Sequence, residues 1–325
     1  MSYLPVCNIT IGSFRMRSVH QVVIKRSIFQ VGSTAVIKIP LSAYLRNASG
    51  EVEPIKTNEK FKVGDKVSIN LGYDPDLYNE FNGFVSRINP QMPLEIECED
   101  WTWPLRRINI KKSWKKATLS DILQHIADLA GFKLLSGLPD VSITNFMAND
   151  KTALWVLQEL KSKYGMTIYF SLTGYLYAGL AYTHNLGAVK LVSGKNIVKS
   201  NDLKWVNADD VKLKIKAISM ERNGSRIEAE LGDTDGEIRT LYFYDVHDKE
   251  ELKRLASSEI EKYKYNGYRG SVNCLLKPFV QPAMSVELSD LNFEDRSGKY
   301  YVESTEVAFG TGGGKRKIDL GIKLN

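Results

Sequence analysis

Leu94-Glu95-Ile96-Glu97-Cys98-Glu99-Asp100-Trp101-Thr102-Trp103-Pro104 (residues 94–104) is where the chain changes character. Up to Glu99, apolar Leu94, Ile96 and Cys98 alternate with Glu95, Glu97 and Glu99. A period of two places one strand face in a core and the other in water. Beyond Pro104 the apolar residues fall at helical spacing instead. Towards the N-terminus the strand pattern continues. Val67, Ile69, Leu71 and Tyr73 oppose Lys66, Ser68 and Asn70, and shorter apolar runs occupy 21–29, 35–45 and 81–88. Gly32, Asn47, Gly50, Asp74, Pro75 and Asn82 punctuate them. Strands at such short intervals predict a sandwich or barrel over the first hundred residues.

After the tryptophan pair, Thr118 is placed to cap a helix with Asp121 as its reciprocal partner. Leu119, Ile122, Leu123, Ile126 and Leu129 follow on one face, and Gly131 supplies the stop. A second helix is expected from about Asp150, with Ala153, Leu154, Leu157, Leu160 and Tyr164 inward and Gly165 at its end. Thr167–Phe170, a turn at Thr173-Gly174 and Tyr175–Tyr177 read as a hairpin. From about residue 205 strands return: Val211, Leu213, Ile215 and Ala217 alternate with lysines, and 227–231 and 239–244 look alike. One helix interrupts them, capped by Asp248 with Glu251 three residues on. A long closing hairpin has arms Lys299–Phe309 and Lys317–Leu324 and the tip Gly310-Thr311-Gly312-Gly313-Gly314. The fold class is therefore α+β and mostly β, divided as 1–102 (β), 103–205 (two helices plus a hairpin) and 206–325 (β with an inserted helix at 248–266).

Composition narrows function more than it names it. At 325 residues and 43% hydrophobic, the chain suits two or three domains whose cores need no staples. The net charge of +6 is a mild excess, dispersed apart from Lys111, Lys112, Lys115, Lys116 and the group Lys315, Arg316, Lys317. Nucleic-acid binders concentrate charge more than this. Cys7, Cys98 and Cys274 are far apart and odd in number, which argues against a disulfide framework or a zinc site and fits a reducing cytoplasm. Asn8, Asn47 and Asn223 match N-x-S/T by chance. No signal peptide and no membrane-spanning segment is expected.

No residue is expected to be catalytic, cofactor-binding or metal-binding. The glycine-rich tip is not a phosphate loop, because Phe309 stands where the first glycine belongs and Arg316 where Ser or Thr belongs. It reads as a hairpin tip whose Lys315–Lys317 form a docking site at most. His20, His125, His184 and His247 show no ligand spacing, and there is no G-x-S-x-G elbow. Glu95, Glu97 and Glu99 share a strand face; a paired-carboxylate cleft for glycoside hydrolysis is the enzyme reading, and a solvated sheet face the plain one. Trp101 and Trp103 are expected to anchor a domain junction.

Four segments, in order, carry a resemblance: Phe81-Asn82-Gly83-Phe84-Val85 leading to Leu94–Asp100; Ala117–Leu123 through Ala130-Gly131-Phe132; Asn149–Leu154 through Lys163-Tyr164-Gly165-Met166, then Gly174–Tyr177; and Gly270-Ser271-Val272 with Pro278, Pro282, Gly298–Val302 and the closing hairpin. This order resembles the late-control-D and baseplate-hub family of tailed phages, whose fold is shared with the hub part of type VI secretion spike proteins. The resemblance implies two tube-like β-barrel domains flanking the α+β domain. It further implies a homotrimeric ring of six barrels joining a sixfold tail tube to a threefold spike. A virion tail baseplate location, assembly in the bacterial cytoplasm, and tail spike, tube and baseplate partners follow from it, with DNA met only in transit through the lumen. It brings no cofactor and no catalytic residue. The secretion-spike relatives continue into an OB-fold and needle, so this chain is expected to be a stand-alone hub with a separate spike. The alternatives are a hub of a type VI or other contractile injection system, and a tail-associated carbohydrate-degrading enzyme.

Overall fold

The computed structural model describes residues 4–46, 49–139, 141–198, 202–220, 225–244, 246–290 and 297–324. Asn47 and Asn223 lie outside them. The chain is mostly β, built from several largely antiparallel sheets, and none of them closes on itself among the described residues. The largest has 13 strands. Its path runs Ile197–Val198, Ser271–Cys274, Gly313–Leu324, Gly298–Gly310, Gln21–Ser27, Thr34–Ile39, Leu94–Glu99, Asp76–Asn89, Lys66–Tyr73, Pro5–Ile11 and Phe14–Met16, with Ser285–Ser289 and Ala188–Val192 branching off Gly298–Gly310.

The closing hairpin is the spine of this sheet. The first part of Gly298–Gly310 pairs with Ser285–Ser289, and Ser304 to Gly310 pairs with Gln21–Ser27. Register shifts at Tyr300/Val302 and Val302/Ser304 mark the corner between the two pairings. Bulges of this kind bend a strand and let it serve two sheets. Two cores result. One gathers Ile9, Ile37, Ile69, Leu71, Phe81 and Ile96 with Leu276, Val307 and Phe309. The other gathers Leu191, Val272, Cys274, Val286, Tyr300 and Ile318. The first therefore draws on both ends of the chain. The tip is tighter than the sequence pattern suggested: Gly310 pairs with Gly313, leaving Thr311 and Gly312 as the turn, and Gly313 takes φ +93.

The helical signals are realised, except that Leu129, expected on the apolar face with Leu119 and Ile126, is exposed. α1 is the short helix Thr102–Leu105, formed at the tryptophan pair. α2 spans Leu119–Ala130 with a full capping box between Thr118 and Asp121, and ends at left-handed Gly131. Its Leu119, Ile122, Leu123 and Ile126 are fully buried, each stabilising by roughly 1.5–3 kcal/mol relative to exposure. α3 spans Ala153–Tyr164, capped by Thr152 rather than beginning at Asp150, which belongs to the preceding strand. Its end residue Gly165 sits at φ +62, and a Cβ there would lie 1.9 Å from the Tyr242 ring. The hairpin Thr167–Phe170 with Tyr175–Gly179 follows as read.

An additional element in this region is a two-stranded ribbon, Asn109–Thr118 against Ser142–Thr152, with a register shift at Ile110/Lys111. Ile110, Trp114, Ile143, Phe146 and Ala148 face the core beneath α2 and α3. Leu213–Met220, Arg226–Gly232 and Glu237–Tyr244 form a separate three-stranded sheet. α4, Lys249–Tyr263, is capped by Asp248 and packs Leu252 and Ala256 on it.

Candidate functional site

The seam where the closing hairpin meets the N-terminal strands holds the most unusual chemistry. The alternation of Ile318, Leu320 and Ile322, continued backwards, puts Arg316 on the inward face, and its side chain is 0% exposed. Glu80 meets it from the strand Asp76–Asn89. Ile69 pairs with Phe81 and Asn70 with Asn79, so Glu80 is the extra residue of a bulge. A bulge re-aims its side chain, here into the core. Arg316 Nη2 donates to Glu80 Oε1 at 2.6 Å and to the Leu276 carbonyl at 3.1 Å, while Nη1 donates to Glu80 Oε2 at 3.3 Å and to the Val280 carbonyl. The guanidinium also lies 5.1 Å from the centre of the Phe279 ring. Burial pushes the Glu80 carboxyl up, and Arg316 and Arg26 pull it down. Buried Arg26 donates to Gln281 at 3.2 Å, and desolvation draws its guanidinium down to about 10.

Nearby, Asp100 directly follows the strand Leu94–Glu99. Its carboxylate accepts from the Ser33 N–H at 2.6 Å, the Thr102 N–H at 3.1 Å and the Thr102 hydroxyl at 3.2 Å. Burial nevertheless raises it to about 6.

A second seam is lined with tyrosines. The Tyr169 hydroxyl meets His184 Nδ1 at 2.6 Å, and Tyr301 donates to the His184 carbonyl at 2.5 Å. Tyr177 stacks on the His184 ring at 5.0 Å. Tyr182, itself at φ +65, donates to Glu303. Burial lowers His184 and raises the tyrosines, Tyr263 to about 12. These bonds tie the hairpin after α3 to the closing hairpin. Two adjoining clefts of about 650 and 710 Å³ open beside the seam and share Gly165, Ala181, Thr240 and Tyr242.

The residues singled out in the sequence fall as follows. Lys315–Lys317 lie in the strand Gly313–Leu324 rather than in the hairpin tip, with Arg316 as its core-facing member. Glu95 pairs with Lys38 at 3.2 Å, Glu97 lies 3.8 Å from Arg87, and Glu99 binds Arg106 at 2.8 Å and the Thr102 hydroxyl. Each carboxylate of that row thus has its own cation. His20 and His247 are exposed, and His125 packs edge-on to Trp114 at 5.7 Å. Trp103 stacks on Phe84 with Arg107 3.9 Å above it, and Trp101 touches Phe132 and Phe170, bridging strands and α+β region. Cys7, Cys98 and Cys274 are all buried thiols. Among the described residues no group of three His, Cys, Asp or Glu side chains could hold a metal ion, and no helix is long and apolar enough to cross a membrane.

No protein-family model and no curated protein sequence matches the chain. Solved structures do. A tail protein from Neisseria meningitidis MC58 aligns over 99% of this chain and 97% of its own, with TM-score 0.61 and 12% identity. The 43 kDa tail protein of prophage MuSo2 from Shewanella oneidensis covers 97% of each chain, with TM-score 0.59 and 16% identity. An E. coli component of the type VI secretion system, itself structurally similar to T4 bacteriophage tail proteins, covers 98% of this chain and 77% of its own, with TM-score 0.58 and 9% identity. Nearly end to end, the chain shares the fold of these phage tail proteins.

Proposed function

We propose that the chain is a structural hub of a phage or prophage tail, and not an enzyme. The observation that carries this is the end-to-end match to the Neisseria tail protein, which leaves almost nothing unmatched on either side. In this reading three copies close into a ring at the tail baseplate, adapting a sixfold tail tube to a threefold spike. Residues 1–102 and 206–325 would supply most of the two tube-like barrels, joined by the strands Ala188–Val192 and Ile197–Val198, and the rest of 103–205 would decorate them. The closing hairpin, which joins both strand groups, would hold the two barrels at a fixed angle. Closed symmetry also covers strand edges that would otherwise invite aggregation. Tail tube, spike and baseplate proteins are the partners, DNA passes through the lumen, and assembly occurs in the bacterial cytoplasm. The match to the E. coli secretion component supports a closely related second reading, the hub of a contractile injection system. Electron microscopy of the purified chain tests both: threefold rings with a lumen of sixfold outline are expected, and compact particles without a central channel would overturn the proposal.

A further inference from the structure

The ribbon Asn109–Thr118 with Ser142–Thr152 carries five lysines, Lys111, Lys112, Lys115, Lys116 and Lys151, against the one acid Asp150. This net +4 is most of the chain's +6, gathered on two strands. All five lysines are exposed. Lys112 leans over Trp114 and Lys151 over Trp155, and Lys111, Lys115 and Lys116 have no ion-pair partner among the described residues. The lysine row elsewhere differs: Lys214 and Lys216 reach diagonally across to Glu230 and Glu228, at 2.8 and 3.0 Å.

The outward face sets Lys111 and Lys115 beside an apolar spot, while Lys112 and Lys116 lie on the same face as Trp114 and reach solvent at the ribbon's margin. Ser113 lies across from Met147, and Lys111 across from Asn149. Met147 is 70% exposed between the lysines. The ribbon has only two strands, so among the described residues the outer edge of each lacks a strand partner. Unpaired edge N–H and C=O groups are a template for an added strand.

We infer that this ribbon is a docking surface for an extended acidic protein segment, added as a third strand, with carboxylates meeting the lysines and an apolar side chain covering Met147. The positive charge lacking internal counter-ions calls for an anionic partner. The open backbone edge and Met147 favour a polypeptide over nucleic acid, which would use neither. The surface does not depend on ring formation, so mass measurements and docking measurements fail separately.

The test uses the full chain and a fluorescein-labelled peptide of alternating Glu and Val, long enough to span the ribbon, read by anisotropy at about 50 and about 300 mM salt. Saturable binding that weakens with salt is expected. K111E/K115E should weaken it about tenfold or more, and Met147→Gln several-fold, with circular dichroism confirming the fold. A peptide of equal charge with prolines at alternate positions should bind less well, since proline cannot donate to a ladder. Equal binding by the proline peptide or by K111E/K115E would overturn the inference. So would binding of a duplex DNA oligomer in preference to the peptide. Absence of peptide binding, with K111E/K115E self-associating, would instead make the lysines guards of an open edge.

Discussion

Glu80 and Arg316 should respond asymmetrically to substitution. Glu80→Gln leaves the Arg316 guanidinium 0% exposed, without a counter-charge and beside a second buried cation, Arg26. Breaking a buried pair on one side costs about 3–5 kcal/mol, and Glu80→Gln should reach the upper half of that range with little dependence on pH. Arg316→Met leaves a carboxylate that can accept a proton and still has Arg26 nearby, although the Leu276 and Val280 carbonyls lose a donor. Its cost should fall as pH is lowered, because an unpaired buried Glu80 is raised further and its penalty builds as pH climbs from the unfolded pKa and is complete above the folded one. The double substitution Glu80→Leu, Arg316→Met removes both charges, orphans those two carbonyls at about 1–3 kcal/mol each, and leaves buried Arg26 without the Glu80 charge. Urea denaturation of the three variants from pH 5 to pH 8 measures all of this. If Glu80→Gln lies within about 1 kcal/mol of the parent, or both single variants share one pH profile, the reasoning about a desolvated pair is wrong.

Asp100, raised to about 6 from 3.8, stabilises the fold most when protonated in both states, and that contribution is lost as pH rises through about 6. Stability should therefore grow by up to about 3 kcal/mol as pH falls from 7 to 4, and Asp100→Asn should flatten that part of the profile in a denaturation series. Gly165→Ala should cost at least about 2 kcal/mol, combining left-handed strain with the Tyr242 contact, and a loss below half of that in urea unfolding would mean the turn relaxes easily. Thr118→Ala removes the capping box of α2 and should cost about 1 kcal/mol, read from the same unfolding curves.

The elements that could be read from sequence are those whose signals are local. Thr118 with Asp121, and Gly131 and Gly165, mark helix ends through backbone groups that need partners or a positive φ. The Thr173-Gly174 turn is equally local. The ribbon was hidden because the register shift after Ile110 and paired lysines on both faces erase a period of two. Arg316 was read with its basic neighbours as part of a loop. Extending the alternation of Ile318 and Leu320 by one step would have turned it inward. Glu80 carried no such signal, because its inward direction depends on a bulge set by pairing with Lys66–Tyr73. The seam itself is non-local: Arg316 and Glu80 are 236 residues apart, and the spine strand changes partners at a corner that only tertiary structure defines.

The most direct test of the proposed hub role is solution mass by light scattering across a range of concentrations. A particle of three times 36.7 kDa is predicted. A mass of 36.7 kDa at every concentration would contradict the ring.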